Sequence, residues 1–205
     1  DALDQLALQG TPVDWSEFDL DHDGTVDMLW VVHAGVGGEA SHDVNDPWSY
    51  TSRMGSGWRD PAVYVTNQFV PGSQTQRMRL DRFTILPELS SVVPFSRSEI
   101  GVYCHEFGHA LGLPDLYDTS GLTRSVGPGI WSLMSAGAFG ADGHSPQYPT
   151  HLGAWPLQFL GWDDTVRPAL DTTLTLAPVV RGGRMLELWF QGEPSSEDFL
   201  VENRQ

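Results

Sequence analysis

The spacing of apolar residues changes period several times along this chain, and each change predicts an element. Val26-Asp-Met-Leu-Trp-Val-Val-His33 is a strongly apolar run of the kind that fills buried strands, and it predicts a strand at the centre of a sheet. Residues 2–8 and 15–18 read as short helical pieces ahead of it. Further strands are predicted over residues 62–70, 78–86, 172–176, 185–190 and 199–202. Two helices punctuate this series. The first is predicted from Ser96, where Ser96 and Glu99 have the Ser-x-x-Glu spacing of a capping box, to Leu111, before Gly112 and Pro114 end it. On that helix Ile100, Cys104, Phe107 and Leu111 share one face, which is expected to anchor it in the core. The second helix is predicted over residues 150–160 despite Pro156, stopping at Gly161. The sequence shows no internal repeat and no low-complexity tract, so the pattern predicts an α/β (α+β) fold with a twisted mixed sheet and a central helix.

Length and composition narrow this picture. A chain of 205 residues is long enough for one substantial domain, and residues 1–205 are expected to form one, with two lobes around a cleft. Its 40% apolar content and eight tryptophans are those of a folded globular protein. No lysine occurs, and the net charge of −16 repels phosphate backbones and anionic lipid heads, so nucleic acid and membrane surfaces are not expected as partners. No apolar run approaches the roughly 20 residues that span a bilayer. The chain does not open on a signal segment and closes in the middle of strand-like sequence, so it is expected to be a mature or excised piece, cut short at its C-terminus. Cys104 is the single cysteine, so no disulfide joins parts of this chain, and its place on the apolar helix face argues for packing rather than catalysis.

The chemistry concentrates on the first helix. His105 and His109 are four residues apart, so their imidazoles project from the same face and can reach one ion at about 2 Å. Glu106 lies one step round, placed to contact a metal-bound water and serve as general base without ligating the metal. Gly112 permits a sharp exit from the helix, and Asp115, ten residues after His105, is the expected third zinc ligand. Asp118 is the rival, three residues further on, with a hydrogen-bonding role in the loop as its alternative. A thermolysin-like site would need a downstream glutamate ligand, yet no Glu occurs between Glu106 and Glu187. Three protein ligands leave a position open for water, whose pKa such a zinc lowers towards roughly 7. Tyr148, His144 and His151 are candidates for the group that stabilises the oxyanion.

The pattern His105-Glu-x-x-His109-x-x-Gly112-x-x-Asp115 resembles the metzincin metallopeptidases, with Met134 in Trp131-Ser-Leu-Met-Ser-Ala-Gly standing where their methionine turn is expected. More closely, His-Glu-Phe-Gly-His-Ala-Leu-Gly-Leu-Pro-Asp-Leu-Tyr-Asp followed by Trp-Ser-Leu-Met is similar to the M6 peptidase family, the immune inhibitor A group of secreted bacterial proteases. The resemblance extends to Val31-Val-His-Ala-Gly35, Leu160-Gly-Trp162 and Val201-Glu-Asn-Arg204. It implies a metzincin-like catalytic domain, a zinc endopeptidase acting on proteins or peptides, and an extracellular bacterial location.

A second cation site is predicted at Asp19-Leu-Asp21-His-Asp23-Gly24-Thr25-Val-Asp27. Side-chain oxygens alternate around a glycine that permits a tight turn, which is the logic of a calcium loop. The position of the bidentate glutamate of an EF-hand is taken by Trp30, so Asp27 is expected to close the shell beside Asp19, Asp21, Asp23 and the Thr25 carbonyl. Such an ion would clamp the entry to the first strand, a structural role. Three readings compete: a secreted endopeptidase, a catalytically silent binding or adhesion module of the same fold, and a different zinc hydrolase such as one acting on small amides, which only the family resemblance disfavours. Glu106 argues against the silent module, since a structural zinc site needs no free base.

Overall fold

The computed structural model describes residue 3 and residues 13–55, 63–92, 95–168, 172–189 and 196–204. Apart from Leu3, the helical piece predicted over residues 2–8 lies outside them. The chain divides into two compact units, Asp1–Ser98 and Glu99–Gln205.

The first unit opens with a 3-10 turn at Trp15–Phe18, where the Asp14 side chain accepts from Ser16 N–H. Two small sheets follow. One has β1 (Thr25–Val26) parallel to β5 (Arg77–Leu80), which pairs antiparallel with β4 (Tyr64–Phe69). Val26, Met78 and Leu80 are its buried core. The other places β6 (Arg82–Val92) between β2 (Leu29–Val36), parallel, and β3 (Tyr50–Arg53), antiparallel, with β7 (Phe95–Arg97) paired to the far end of β6. A single turn of helix, α1 (Gly38–Ser41), follows β2.

Two expectations are corrected here. The apolar run expected at the centre of a sheet forms β2, which pairs with β6 alone among the described strands and leaves Trp30, Val31 and Val32 exposed. The eleven-residue β6 takes the central place, with Thr84, Leu86 and Leu89 buried. Residues 78–86, expected as one strand, divide at Asp81 between two sheets. Alternation hid the break, because Met78 and Leu80 on one side and Thr84 and Leu86 on the other fall in the same phase. Pro87 lacks a donor in mid-strand, and the β2–β6 ladder shifts register between His33 and Val36, around Gly35 at φ +89°.

The second unit carries α2 (Ile100–Ala110), α3 (Ala154–Leu160) and a sheet in which β9 (Met185–Trp189) lies between β8 (Thr165–Val166), parallel, and β10 (Asp198–Val201), antiparallel. Its core joins Leu113, Met134, Leu152, Leu157 and Met185. The strand predicted over residues 172–176 is absent: those residues are loop without ladder partners among the described strands. α3 starts four residues later than predicted, so Pro156 falls in the first turn, where its missing N–H costs nothing. Gly161 ends it in the left-handed conformation, as its sequence position implied. The mixed α/β class predicted from the pattern holds, built from three small sheets among the described residues. No described helix is long and apolar enough to cross a membrane.

Candidate metal centre

α2 begins at Ile100, not Ser96, and the capping box does not form. Ser96 is part of β7, opposite Ser91, and the N-cap is Glu99 without a side-chain cap. The face expected to anchor the helix is also corrected. Ile100 is 57% and Phe107 44% exposed, while Gly101, His105, Glu106 and Gly108 are buried. The two glycines explain this inversion, since close approach of backbones requires small residues rather than apolar ones. Gly101 N–H donates to the Pro146 carbonyl at 2.9 Å, and a Cβ there would lie 2.8 Å from that oxygen. Gly108 lies against the fully buried Met134. Cys104 is half-buried, and burial pushes its thiol up, which keeps it protonated and inert.

The helix exit builds the rest of the site. Leu113 N–H bonds the Gly108 carbonyl at 3.1 Å and Gly112 N–H bonds His109 carbonyl at 2.9 Å, with Gly112 at φ +93°. This is the paired 6→1 and 5→2 closure that reverses a chain at a helix end. It brings the Leu113 carbonyl back to His109 Nδ1 at 2.8 Å and delivers Asp115 to both imidazoles. His105 Nδ1 meets the Leu133 carbonyl at 2.8 Å. A carbonyl only accepts, so in each histidine Nδ1 carries the proton and Nε2 faces inward. Asp115 Oδ1 lies 3.0 Å from His105 Nε2 and 3.4 Å from His109 Nε2, and the two rings stand edge to face at 4.8 Å.

Charge follows this geometry. Burial works against the Asp115 carboxylate, but hydrogen bonds and charge from His105 and His109 outweigh it and hold the carboxyl well below its usual range. For His109 burial disfavours the imidazolium, yet its bonds to Asp115 and Leu113 and the charges of Asp115 and Glu106 raise it above the ordinary value. Two imidazoles with their outer nitrogens bonded to carbonyls, and a carboxylate oxygen between their inner nitrogens, form the donor set that zinc takes. These residues fit the ion.

Asp118 is placed elsewhere. Its carboxylate accepts from Ser120 and Thr123 hydroxyls at 2.5 and 2.7 Å and from the N–H groups of Ser120, Thr123 and Arg124, which organise the 118–125 loop. Tyr148 is 75% exposed, His144 sits in a turn on Asp142, and His151 reaches the site region through its backbone carbonyl, which accepts from Leu133 N–H at 3.2 Å. Sequence reasoning gave no role to Tyr117, whose phenol lies in the field of the Asp115 carboxylate. Burial first, then the charges of Asp115 and Glu106, push that phenol up to about 12, so it stays neutral. Its signal was the Asp-x-Tyr spacing after the glycine exit.

In the other unit, Asp19, Asp21 and Asp23 bring carboxylate oxygens together, with Asp19 buried. Asp19 accepts from Asp23 and Gly24 N–H, Gly24 turns at φ +83°, and Asp23 accepts from Thr25 N–H. Thr25 enters β1, and Asp27 lies outside the cluster of three, its Oδ2 accepting from Leu20 N–H at 3.0 Å.

A helix-borne histidine pair, a glutamate between them and a carboxylate from the helix exit define the class of metallopeptidases. The chain belongs to the M6 peptidase family: residues 13–163 match the family described as immune inhibitor A peptidase M6, catalytic domain. It is 31% identical over 176 residues to the pre-pro-metalloprotease PrtV of Vibrio cholerae serotype O1, covering 78% of this chain and 18% of that protein. Over 118 residues it is 36% identical to immune inhibitor A of Bacillus thuringiensis subsp. alesti, covering 57% of this chain and 16% of the relative. The chain thus spans less than a fifth of the length of these relatives.

Proposed function

We propose that residues 1–205 form the metzincin-like catalytic domain of a zinc-dependent endopeptidase that hydrolyses peptide bonds of proteins. The convergence of His105 Nε2, His109 Nε2 and Asp115 Oδ1, with both Nδ1 atoms tied to carbonyls, carries this reading. When bound there, zinc supplies a Lewis acid that polarises the scissile carbonyl and makes water a nucleophile near neutral pH. Glu106, buried beside the histidines, takes a proton from the attacking water as the new C–O bond forms. It then returns that proton to the amine as the C–N bond breaks, so the carboxylate is regenerated.

Asp19, Asp21 and Asp23 hold a structural calcium ion in this reading, with the Thr25 carbonyl and Asp27 completing its shell. Three crowded carboxylates support it, since they repel one another without a cation. An exported, bacterial setting is supported by the pre-pro form named in the PrtV relative.

The test compares the zinc-loaded protein with Glu106→Gln on unfolded casein. The variant retains zinc and loses at least about 100-fold in cleavage rate, the scale of general base catalysis. Equal cleavage by both would overturn the mechanism.

A further inference from the structure

After β10 lies a half-buried ion pair that none of the steps above uses. Arg204 Nε donates to Glu202 Oε1 at 2.8 Å, with side chains only 17% and 16% exposed. The rest of the guanidinium is spent on backbone: Nη1 donates to the Trp131 carbonyl and Nη2 to the Leu152 carbonyl, the latter at 2.7 Å. Glu202 Oε1 also accepts from Ala154 N–H at 3.1 Å, at the first turn of α3. One planar fork therefore ties together the start of α3, the segment before it and the loop that leads to Met134.

That loop aims a metal ligand. Trp131 ends a 3-10 turn at Gly129–Trp131, and two residues later the Leu133 carbonyl receives His105 Nδ1. Between the 3-10 turns at Gly129–Trp131 and Ala136–Phe139 the loop has no ladder of its own, so side chains and single backbone bonds set its position. His109 is oriented differently, by the Leu113 carbonyl on the exit of its own helix. The two histidines thus depend on different supports.

We propose that Arg204, held in place by Glu202, is a positioning residue that orients His105 through the Trp131–Leu133 loop. This rests on the zinc reading for its consequence but not for its geometry. A guanidinium is suited to the task because it meets two carbonyls and a carboxylate in one plane, which a lysine ammonium on a flexible stem does not reproduce. Removing it leaves Glu202 with the Ala154 N–H and the Trp131 carbonyl without its partner, and frees the loop to shift.

The experiment uses the 205-residue chain with Arg204→Ala, Arg204→Lys and Glu202→Gln, and Arg167→Ala as a control that breaks an exposed pair with Glu187. Imidazole nitrogen NMR of the metal-free proteins reads the two histidines separately. Zinc affinity is read by chelator competition, and the visible spectrum of the cobalt-loaded protein reports ligand geometry. The expected result is a changed His105 Nδ1 signal with His109 unmoved in both Arg204 variants, smaller in Glu202→Gln, and none in Arg167→Ala. Zinc affinity falls about tenfold or more in Arg204→Ala, the lower end of what loss of a ligand-supporting contact costs. Equal shifts of His105 and His109, or neither shifting while the melting temperature falls, would show a merely structural role and overturn the proposal. If Arg204→Ala does not fold, Glu202→Gln gives the same selective readout. Failure of the wild-type protein to bind zinc would sink the metal reading while leaving the His105-selective shift to decide this one.

Discussion

Gly108 of α2 packs directly against Met134: a Cβ added to the glycine would lie 3.0 Å from Met134 Cε and closer still to its sulfur. Both residues are buried, Met134 completely, so neither can yield cheaply. Alanine at position 108 gains helix propensity of roughly 1 kcal/mol but overpacks the contact by about 1–3 kcal/mol. Gly108→Ala is therefore expected to lower the melting temperature, and Gly108→Ala with Met134→Ala to lose less than the sum of the two single changes. Strict additivity in thermal denaturation would contradict this contact.

Asp115 and Asp118 separate by function. Asp115→Asn is expected to weaken zinc binding by at least tenfold in chelator competition, because the carboxylate meets both Nε2 atoms. Asp118→Asn is expected to keep zinc affinity while loosening the 118–125 loop, read as faster amide exchange at Thr123 and Arg124. The reverse pattern would hand the ligand role to Asp118.

The metal-free site makes stability depend on pH with a definite sign. His109 is raised by folding, so its contribution is complete below its ordinary value of 6.5 and is lost as pH rises through the higher folded value. Asp115 is depressed, so its contribution is present above 3.8 and is lost as pH falls towards the lower folded value. Urea denaturation in the presence of chelator should therefore show the stability gap between wild type and Asp115→Asn at its widest between about pH 4 and 6.5. A gap independent of pH would exclude the pairing.

At the acidic loop, selective removal of calcium is expected to lower the melting temperature while zinc stays bound. Gly24→Ala should do the same in the presence of calcium, because Gly24 sits at φ +83° and a Cβ would lie 2.8 Å from Gln76 Nε2 and 3.0 Å from Val70 Cγ2. An unchanged melting curve on chelation would remove calcium from the description of this protein.

How much was readable beforehand differs from residue to residue. The His105, Glu106 and His109 triplet and the Gly112 exit were legible because helix periodicity and a left-handed glycine are local properties of four to ten residues. Asp115 was placed by the same local logic, and the loop clustering of Asp19, Asp21 and Asp23 likewise. The α2 start was misread, because Ser96 belongs to a strand whose partner, Ser91, is set by ladder pairing and not by the capping signal it carries.

What the sequence by itself determined is the chemistry: which donors lie on one helix face, where the chain turns back, and which family the chain joins. Only the tertiary structure decided which face of α2 is buried, because small residues pack by letting backbones approach, and hydrophobicity does not register that. It alone decided that β6 and not β2 is central, since an apolar run does not say how many neighbours it has. It also supplied the supports of the site, the Leu133 carbonyl on His105 and the Arg204 fork on Trp131. Leu133 and Arg204 act across 28 and 73 residues of sequence, a distance over which no local pattern carries information about direction.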